Sequence, residues 1–188
     1  MSSSAPSWVS PEQYLEAERR AETKSEYFAG QVFPMPGASL RHNQIVVNLV
    51  AGLHAALAGG ECQVLPSDMR LKIPATGMYT YPDVTVVCGE PQLEDAHFDT
   101  LLNPTLLIEV LSESTERYDR GRKAEHYRSI ASLQEYLLVS QQEPRIERYR
   151  RHSAHEWLLS EAIGTDGVVE LSSIGCALPL RGIYGRVF

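Results

Sequence analysis

The sequence lacks any apolar run close to the ~20 residues that a helix needs to cross a bilayer. Its start, Met1 to Ser10, contains neither the basic segment nor the apolar segment of a secretory signal, so we expect no signal peptide. These absences predict a cytoplasmic protein with no membrane partner.

Cysteine is also scarce. Cys62, Cys88 and Cys176 are widely spaced and form no CxxC pair, which excludes the common zinc-site spacings. An odd number of cysteines does not suit a disulfide framework either, so we expect three buried thiols in a reducing compartment.

The chain has an excess of acid, with a formal net charge of −7, which argues against a nucleic-acid partner because phosphate binding depends on clustered Lys and Arg. The charge is uneven, since residues 1–100 carry 6 Lys and Arg against 12 Asp and Glu, whereas residues 101–188 carry 11 against 12. The basic residues of the second half group at 117–128 and 145–151. They form either a local basic face or solvated surfaces in which Glu125 and Glu147 are interleaved.

The length of 188 residues suits one domain with a sizeable core, and no repeat or linker divides it. We therefore expect a single domain over residues 1–188, with residues 1–9 frayed.

Periodicity and turn residues predict an α/β order of elements. Ser10 and Ser39 are placed as N-caps of two helices that run to about Lys24 and Ala58. The other predictions are a hairpin over 27–36, strands over 62–65, 69–73, 82–87, 105–111 and 135–139, a loop over 89–103, a helix over 120–132, and an antiparallel pair at the sheet edge formed by 145–149 and 156–159.

Two carboxylates occupy places where an acid is costly. Asp83 begins an apolar strand, and Glu109 lies inside Leu106-Leu107-Ile108-Glu109-Val110-Leu111. An ionised carboxylate in such surroundings costs several kcal/mol unless a cation or hydrogen-bond donors compensate it. Two converging carboxylates favour a divalent cation. The alternative is that Glu109 faces solvent or pairs with an arginine.

The pattern around these acids resembles the PD-(D/E)xK nuclease superfamily, since Pro82-Asp83 is followed 26 residues later by Glu109. Further motifs resemble the restriction-endonuclease family that is abundantly duplicated in cyanobacteria. They are Glu26-Tyr27, Gly30, Pro36-Gly37-Ala38-Ser39, His42, Glu109-Val110-Leu111-Ser112-Glu113-Ser114-Thr115, Asp119-Arg120-Gly121-Arg122-Lys123 and Tyr127. The resemblance implies a restriction-endonuclease-like core, an α-β-β-β-α-β mixed sheet flanked by helices, preceded by a helix and hairpin and followed by edge strands.

The resemblance also implies a metal site. Asp83, Glu109 and the backbone carbonyl of Val110 are expected to hold Mg²⁺, with Mn²⁺ as a substitute, and the metal to activate water. The superfamily lysine belongs two residues after Glu109, where this chain has Leu111. Lys123, on the next helix, is the candidate replacement; otherwise it is a solvated helix charge.

Glu26 and His42 are further candidates for the catalytic site. Glu26 would add an acid from the hairpin, and His42 would contact phosphate or water. Each also has a structural interpretation, as an exposed acid and as a capping or core-edge histidine respectively.

These observations predict a Mg²⁺-dependent endonuclease that hydrolyses DNA and forms a homodimer, with RNA as a variant substrate that the sequence does not separate. A protein of another class, a catalytically silent nucleic-acid-binding or regulatory protein on a nuclease fold, is favoured by the acidic net charge and by Leu111.

Overall fold

The computed structural model describes residues 8–188. The expectation of a frayed start lies, for residues 1–7, outside the described residues. Val9 donates a backbone hydrogen bond to the Gly30 carbonyl at 3.0 Å, so the described chain is attached to the fold from this point.

Helical segments are few and mostly short. They are α1 (Pro11–Glu18), α2 (Leu40–Ala56), α3 (Glu116–Tyr118), a π-helix (Asp119–Lys123), α4 (Ala124–Arg128) and α5 (Leu180–Ile183). None of them, among the residues that the structure describes, is long and apolar enough to cross a membrane.

The strands are numbered in chain order. They are β1 (Ser25–Phe28), β2 (Gln31–Pro34), β3 (Cys62–Pro66), β4 (Arg70–Ile73), β5 (Met78–Thr80), β6 (Val84–Cys88), β7 (Thr100–Leu101), β8 (Leu106–Val110), β9 (Glu135–Val139), β10 (Arg145–Arg151), β11 (Trp157–Ile163), β12 (Val168–Leu171) and β13 (Cys176–Pro179).

A six-stranded mixed sheet forms the centre, in the order β11-β10-β9-β8-β6-β3, with β8 and β9 as its parallel pair. Every residue of β8 is buried, as expected for a strand covered on both faces. Leu106, Ile108 and Val110 pack toward α2, whereas Leu107 and Leu111 pack toward the segment α3–α4. Glu109 shares the second face by the two-residue period of a strand.

A second, five-stranded sheet has the order β2-β1-β5-β4-β7 and covers the far side of the α3–α4 segment. The predicted hairpin is present, with Ala29 and Gly30 at positive φ of 49° and 80° in its turn. Strand β5 was not predicted, and β7 lies inside the predicted loop 89–103, so that prediction is wrong at Thr100–Leu101. Both strands are too short to show alternation in the sequence.

Three predicted boundaries also differ from the structure. Helix α1 ends at Glu18 rather than Lys24, because its buried side chains are Tyr14 and Leu15 and little apolar surface follows them. The segment α3–α4 runs over residues 116–128, so it begins and ends four residues earlier than the predicted helix 120–132. The β12–β13 hairpin and α5, which pack against α2, were not predicted.

The expectation of three thiols is wrong for two of them, because Cys62 and Cys88 form a disulfide. They lie opposite each other in the antiparallel register of β3 and β6, a pairing that spacing along the chain does not reveal. Cys176 remains a free, half-buried thiol.

Replacing Cys62 with Ser is expected to lower the free energy of unfolding by about 2–4 kcal/mol, because the cross-link restricts the unfolded chain. Urea unfolding of oxidised wild type and variant measures the difference, and Cys176→Ser is the matched control. Alkylation of denatured, unreduced protein should modify Cys176 alone. Modification of all three cysteines would contradict the disulfide.

A buried arginine ties the second sheet to the acidic loop between β6 and β7. Arg70 is 3% exposed, and its Nη2 lies 2.7 Å from Asp99 Oδ2, which also accepts a hydrogen bond from Arg19 Nε at 2.8 Å. Arg19 and then Arg70 hold the pKa of Asp99 well below its usual range. The ion pairs therefore stabilise the fold while Asp99 is ionised.

Substituting Asp99→Asn is expected to cost about 1–3 kcal/mol at neutral pH, because charged hydrogen bonds to the arginines are lost. Since the folded pKa is lowered, the advantage of wild type is present above the unfolded pKa of about 3.9 and disappears as the pH falls below it. Urea unfolding across this range tests the prediction. Asp166→Asn, which breaks an exposed pair with Arg181, serves as control; an equal effect of both variants would contradict it.

Candidate active site

The two carboxylates that the sequence places in apolar surroundings, Asp83 and Glu109, lie opposite each other at the ends of neighbouring strands. Asp83 immediately precedes β6, and the register Val84↔Ile108, continued by one residue, places it opposite Glu109. Asp83 Oδ2 accepts the backbone N–H of Val110 at 2.7 Å, which fixes this carboxylate against β8. The alternative for Glu109, an exposed sheet face, is excluded because this residue is 4% exposed.

The lysine on the helical segment contacts two carboxylates, one from each sheet. Lys123 is 4% exposed, and its Nζ lies 2.8 Å from Glu109 Oε1 and 3.2 Å from Glu26 Oε1. It is therefore not a solvated helix charge. Leu111, where the superfamily places its lysine, is buried in the apolar cluster on the same face of β8. Lys123 approaches that face from the segment that packs on it.

The local conformation of the helix presents two charged residues inward. Residues 119–123 form a π-helix, a form that is rare and often occurs at functional sites. Both ends of this turn, Asp119 and Lys123, are buried, while Arg120, Gly121 and Arg122 between them are exposed. Asp119 Oδ1 lies 3.7 Å from Lys123 Nζ.

Side chains to which the sequence assigned no role complete the cluster. The Tyr127 hydroxyl donates to Glu109 Oε1 at 2.6 Å, and the Tyr118 hydroxyl donates to Glu26 Oε2 at 3.1 Å. Tyr127 and Asp119 belong to the family motif, and the spacing of 119, 123 and 127 by four residues was the available signal.

His42 lies in the first turn of α2, after the N-cap Ser39. Its Nε2 is 3.2 Å from Asp83 Oδ2, so the structure brings it to the acid pair. Its Nδ1 is buried and has no hydrogen-bond partner among the described residues.

The cluster contains more acid than base. The carboxylates of Glu26, Glu109 and Asp119 lie 3.2, 2.8 and 3.7 Å from the ammonium of Lys123, and Asp83 stands opposite Glu109. Burial raises the pKa of Glu109 well above its usual value, and burial also raises the pKa of Asp119. Burial alone would lower the pKa of Lys123, but the surrounding carboxylates, Glu109 first, outweigh it and raise that pKa. Lys123 thus stays cationic, and the carboxyl groups of the cluster outnumber it.

The donor atoms suit a hard divalent cation. Hydrogen bonds among the described residues use Asp83 Oδ2 and Glu109 Oε1, which leaves Asp83 Oδ1 and Glu109 Oε2 available. No group of three or more His, Cys, Asp or Glu within residues 8–188 is arranged to hold a metal ion. Mg²⁺ is nevertheless commonly bound through one or two carboxylates, with water and substrate phosphate as its other ligands.

The acids open onto a cleft of about 890 Å³. Asp83, Glu109, Val110 and Lys123 form part of its lining, together with the loop 36–39 and the turn 112–115. Glu26 lies behind Lys123 and holds the ammonium from the hairpin side. The cleft therefore gives a substrate access to the acid pair.

This fold is shared with a solved structure, described as a putative nuclease belonging to DUF820 from Anabaena variabilis. The two align with a TM-score of 0.76 at 17% identity over 94% of this chain and 98% of that one. The likeness confirms the expected nuclease-like α/β fold.

Sequence similarity defines the family. Residues 11–181 match Uma2, a family described as putative restriction endonucleases, and the chain belongs to that family. Two relatives from Synechocystis sp. are named only as uncharacterized proteins. One, slr1290, is 41% identical over 94% of this chain and 91% of its own length; the other, sll1609, is 39% identical over 85% and 90%.

Replacing Glu109 with Gln is expected to stabilise the metal-free protein by on the order of 1 kcal/mol at about pH 8, because it removes a buried charge. The pKa of Glu109 is higher in the folded than in the unfolded protein, so wild type loses stability as the pH rises above the unfolded pKa of about 4.3. The stability advantage of Glu109→Gln over wild type should therefore vanish near that pH. Urea unfolding in EDTA measures the stability difference at each pH.

The exposed Glu125, on the same helical segment, provides the matched control. Glu125→Gln should change the free energy of unfolding little at any of these pH values. A Glu109→Gln protein no more stable than wild type at about pH 8 would show that this carboxylate is not strained by its burial.

Proposed function

We propose that the chain is a Mg²⁺-dependent endonuclease that hydrolyses phosphodiester bonds of DNA. The observation that carries the proposal is the ion cluster at the cleft, in which Glu109 lies 2.8 Å from the ammonium of Lys123 and Asp83 stands opposite Glu109 on the neighbouring strand. Family membership supports it.

The free oxygens of Asp83 and Glu109, with the carbonyl of Val110, would hold Mg²⁺ or Mn²⁺. A bound divalent ion would supply Lewis-acid stabilisation of the phosphate and lower the pKa of its water. The excess of carboxylates over ammonium groups favours such an ion, since it would neutralise charge that Lys123 leaves uncompensated.

The protonation of Lys123 decides its role. Because the surrounding carboxylates keep its pKa above the usual value, Lys123 holds its proton at neutral pH and does not act as a general base. It serves as a fixed cation that holds Glu109 in place and orients the attacking water. Glu26 and Asp119 hold the ammonium, and Tyr127 holds Glu109.

His42 is a positioning residue in this proposal. Its contact with Asp83 Oδ2, together with the hydrogen bond from Val110, fixes one carboxylate oxygen and turns the other toward the cleft. A role for His42 in direct contact with phosphate would need its Nδ1, which is buried.

We also propose that the protein is cytoplasmic and forms a homodimer, the assembly that the resemblance to the nuclease superfamily implies. Light scattering of the purified protein distinguishes a dimer from a monomer.

Supercoiled plasmid incubated with the protein and Mg²⁺ or Mn²⁺ tests the activity. We expect wild type to nick the plasmid, and Asp83→Asn, Glu109→Gln and Lys123→Met each to slow nicking by about 100-fold or more, the scale of losing one acid–base or charge-stabilising group. Glu125→Gln, an exposed acid outside the cluster, should leave the rate unchanged.

Two other outcomes would contradict the proposal. Nicking that persists in all three variants would mean another site or a contaminating nuclease. If wild type nicks nothing and calorimetry detects no Mn²⁺ binding that Asp83→Asn removes, the chain is a silent binding protein, the function that its acidic charge favours.

A further inference from the structure

The cleft offers few free positive charges. Six carboxylates line it, against three Lys or Arg side chains and His42. Lys123 forms ion pairs with Glu109 and Glu26, and Lys24 Nζ lies 3.1 Å from Asp68 Oδ1. Arg41 is the cation of the lining that forms no ion pair among the described residues. It lies 5.5 Å from the ring centroid of Phe188.

This charge balance limits the affinity that phosphate contacts can contribute to nucleic-acid binding. Duplex binding draws most of its affinity from several Lys and Arg side chains that each neutralise a phosphate. Arg41 and one metal ion would neutralise about two. The cleft volume of about 890 Å³ is also typical of a site that encloses a small ligand rather than a double helix. The few cations in the cleft favour a substrate that also offers its bases for contact.

An aromatic side chain is placed to make such contacts. Phe33 lies on β2, the outer strand of its sheet, and pairs directly with Glu26 in the antiparallel register. Met35, which lines the cleft, follows β2 and continues its pairing through a backbone hydrogen bond to the Lys24 carbonyl at 3.0 Å, so the two-residue period places it on the same face as Phe33. It is 45% exposed, whereas Tyr27, on the other face of the hairpin, is buried in an apolar cluster.

The same face of the hairpin holds the ion cluster. Side chains directly opposite in an antiparallel pair have Cβ atoms about 4.5–5.5 Å apart, and the partner of Phe33 is Glu26, which contacts Lys123. An exposed ring therefore lies next to the cluster, at the rim of the cleft.

We propose that the substrate is an unpaired stretch of nucleic acid, with one base stacked on Phe33 while its neighbouring phosphate enters the acidic cleft. The proposal rests on the nuclease function proposed above and narrows it, because a paired base has both faces covered by its neighbours in the stack. A strand that is single throughout and a strand displaced from a duplex present the same chemistry.

The test uses one labelled DNA sequence in three forms, as a single strand, as a blunt duplex and as a duplex with single-stranded flaps, and RNA of the same sequence as a fourth probe. We expect cleavage of the single strand and the flaps at least about 10-fold faster than of the blunt duplex. Phe33→Ala should slow the preferred reaction by about 5- to 150-fold, the range for losing one stacked base.

Two variants sharpen the result. Phe33→Trp should preserve cleavage, because it keeps a stacking surface. Val32→Ala is the matched control, since Val32 is the adjacent residue, 42% exposed, and points to the other face of the same strand. A blunt duplex cut as fast as the single strand would overturn the proposal, as would equal rates for Phe33→Ala and Val32→Ala.

Fluorescence anisotropy of the same probes with the Glu109→Gln protein separates this proposal from hydrolysis itself. If wild type cleaves no probe, tighter binding of the single strand that Phe33→Ala weakens would sustain the substrate class and overturn the activity. Equal affinity for single strand and duplex, or no binding of either, would overturn the substrate class. A response to RNA alone would assign the substrate to RNA.

Discussion

A single ammonium group joins the parts of this molecule that form the cleft. Lys123 Nζ contacts Glu109 from the six-stranded sheet and Glu26 from the five-stranded sheet, and it is carried by the helical segment between them. The interior excludes water from all three groups, so the attraction is strong, but each charge has lost its hydration. Removing the ammonium would leave both carboxylates buried without compensation. The architecture around the cleft thus depends on a balance of charges that is itself incomplete, because carboxylates outnumber the cation.

That imbalance has a cost in stability, and active sites commonly carry such a cost. Glu109 has a raised pKa because it is held in an apolar environment beside other acids. The apolar side chains on both faces of β8 and the hydrogen bond from Tyr127 supply the rigidity that keeps it there. The rest of the fold, including the disulfide between β3 and β6 and the Arg70–Asp99 pair, stabilises the scaffold at a distance from these charges.

The sequence identified the central acids because a carboxylate inside an aliphatic run is conspicuous, and Glu109 is such a residue. It also identified Lys123 as a partner through the family motif. Tyr127 received no role, since a tyrosine on a helix is more often a core residue and only the three-dimensional packing brings its hydroxyl to Glu109. The Cys62–Cys88 pair depends on the register of two strands, and β7 is two residues long. Neither leaves a periodic pattern, so neither could be predicted from local sequence.

The placement of the lysine on the helical segment, and not on β8, affects when the site comes into existence. If the lysine stood two residues after Glu109, the acid and the lysine would be neighbours as soon as β8 had formed. Here the lysine reaches the acids only after the helical segment has docked on the sheet, through the packing of Ala124 and Tyr127 against Leu107 and Leu111. A partly folded chain therefore carries the acids without their cation. Assembly of the candidate site is thus coupled to the docking of this segment on the sheet, and under the proposed function a chain without that contact would lack a complete centre.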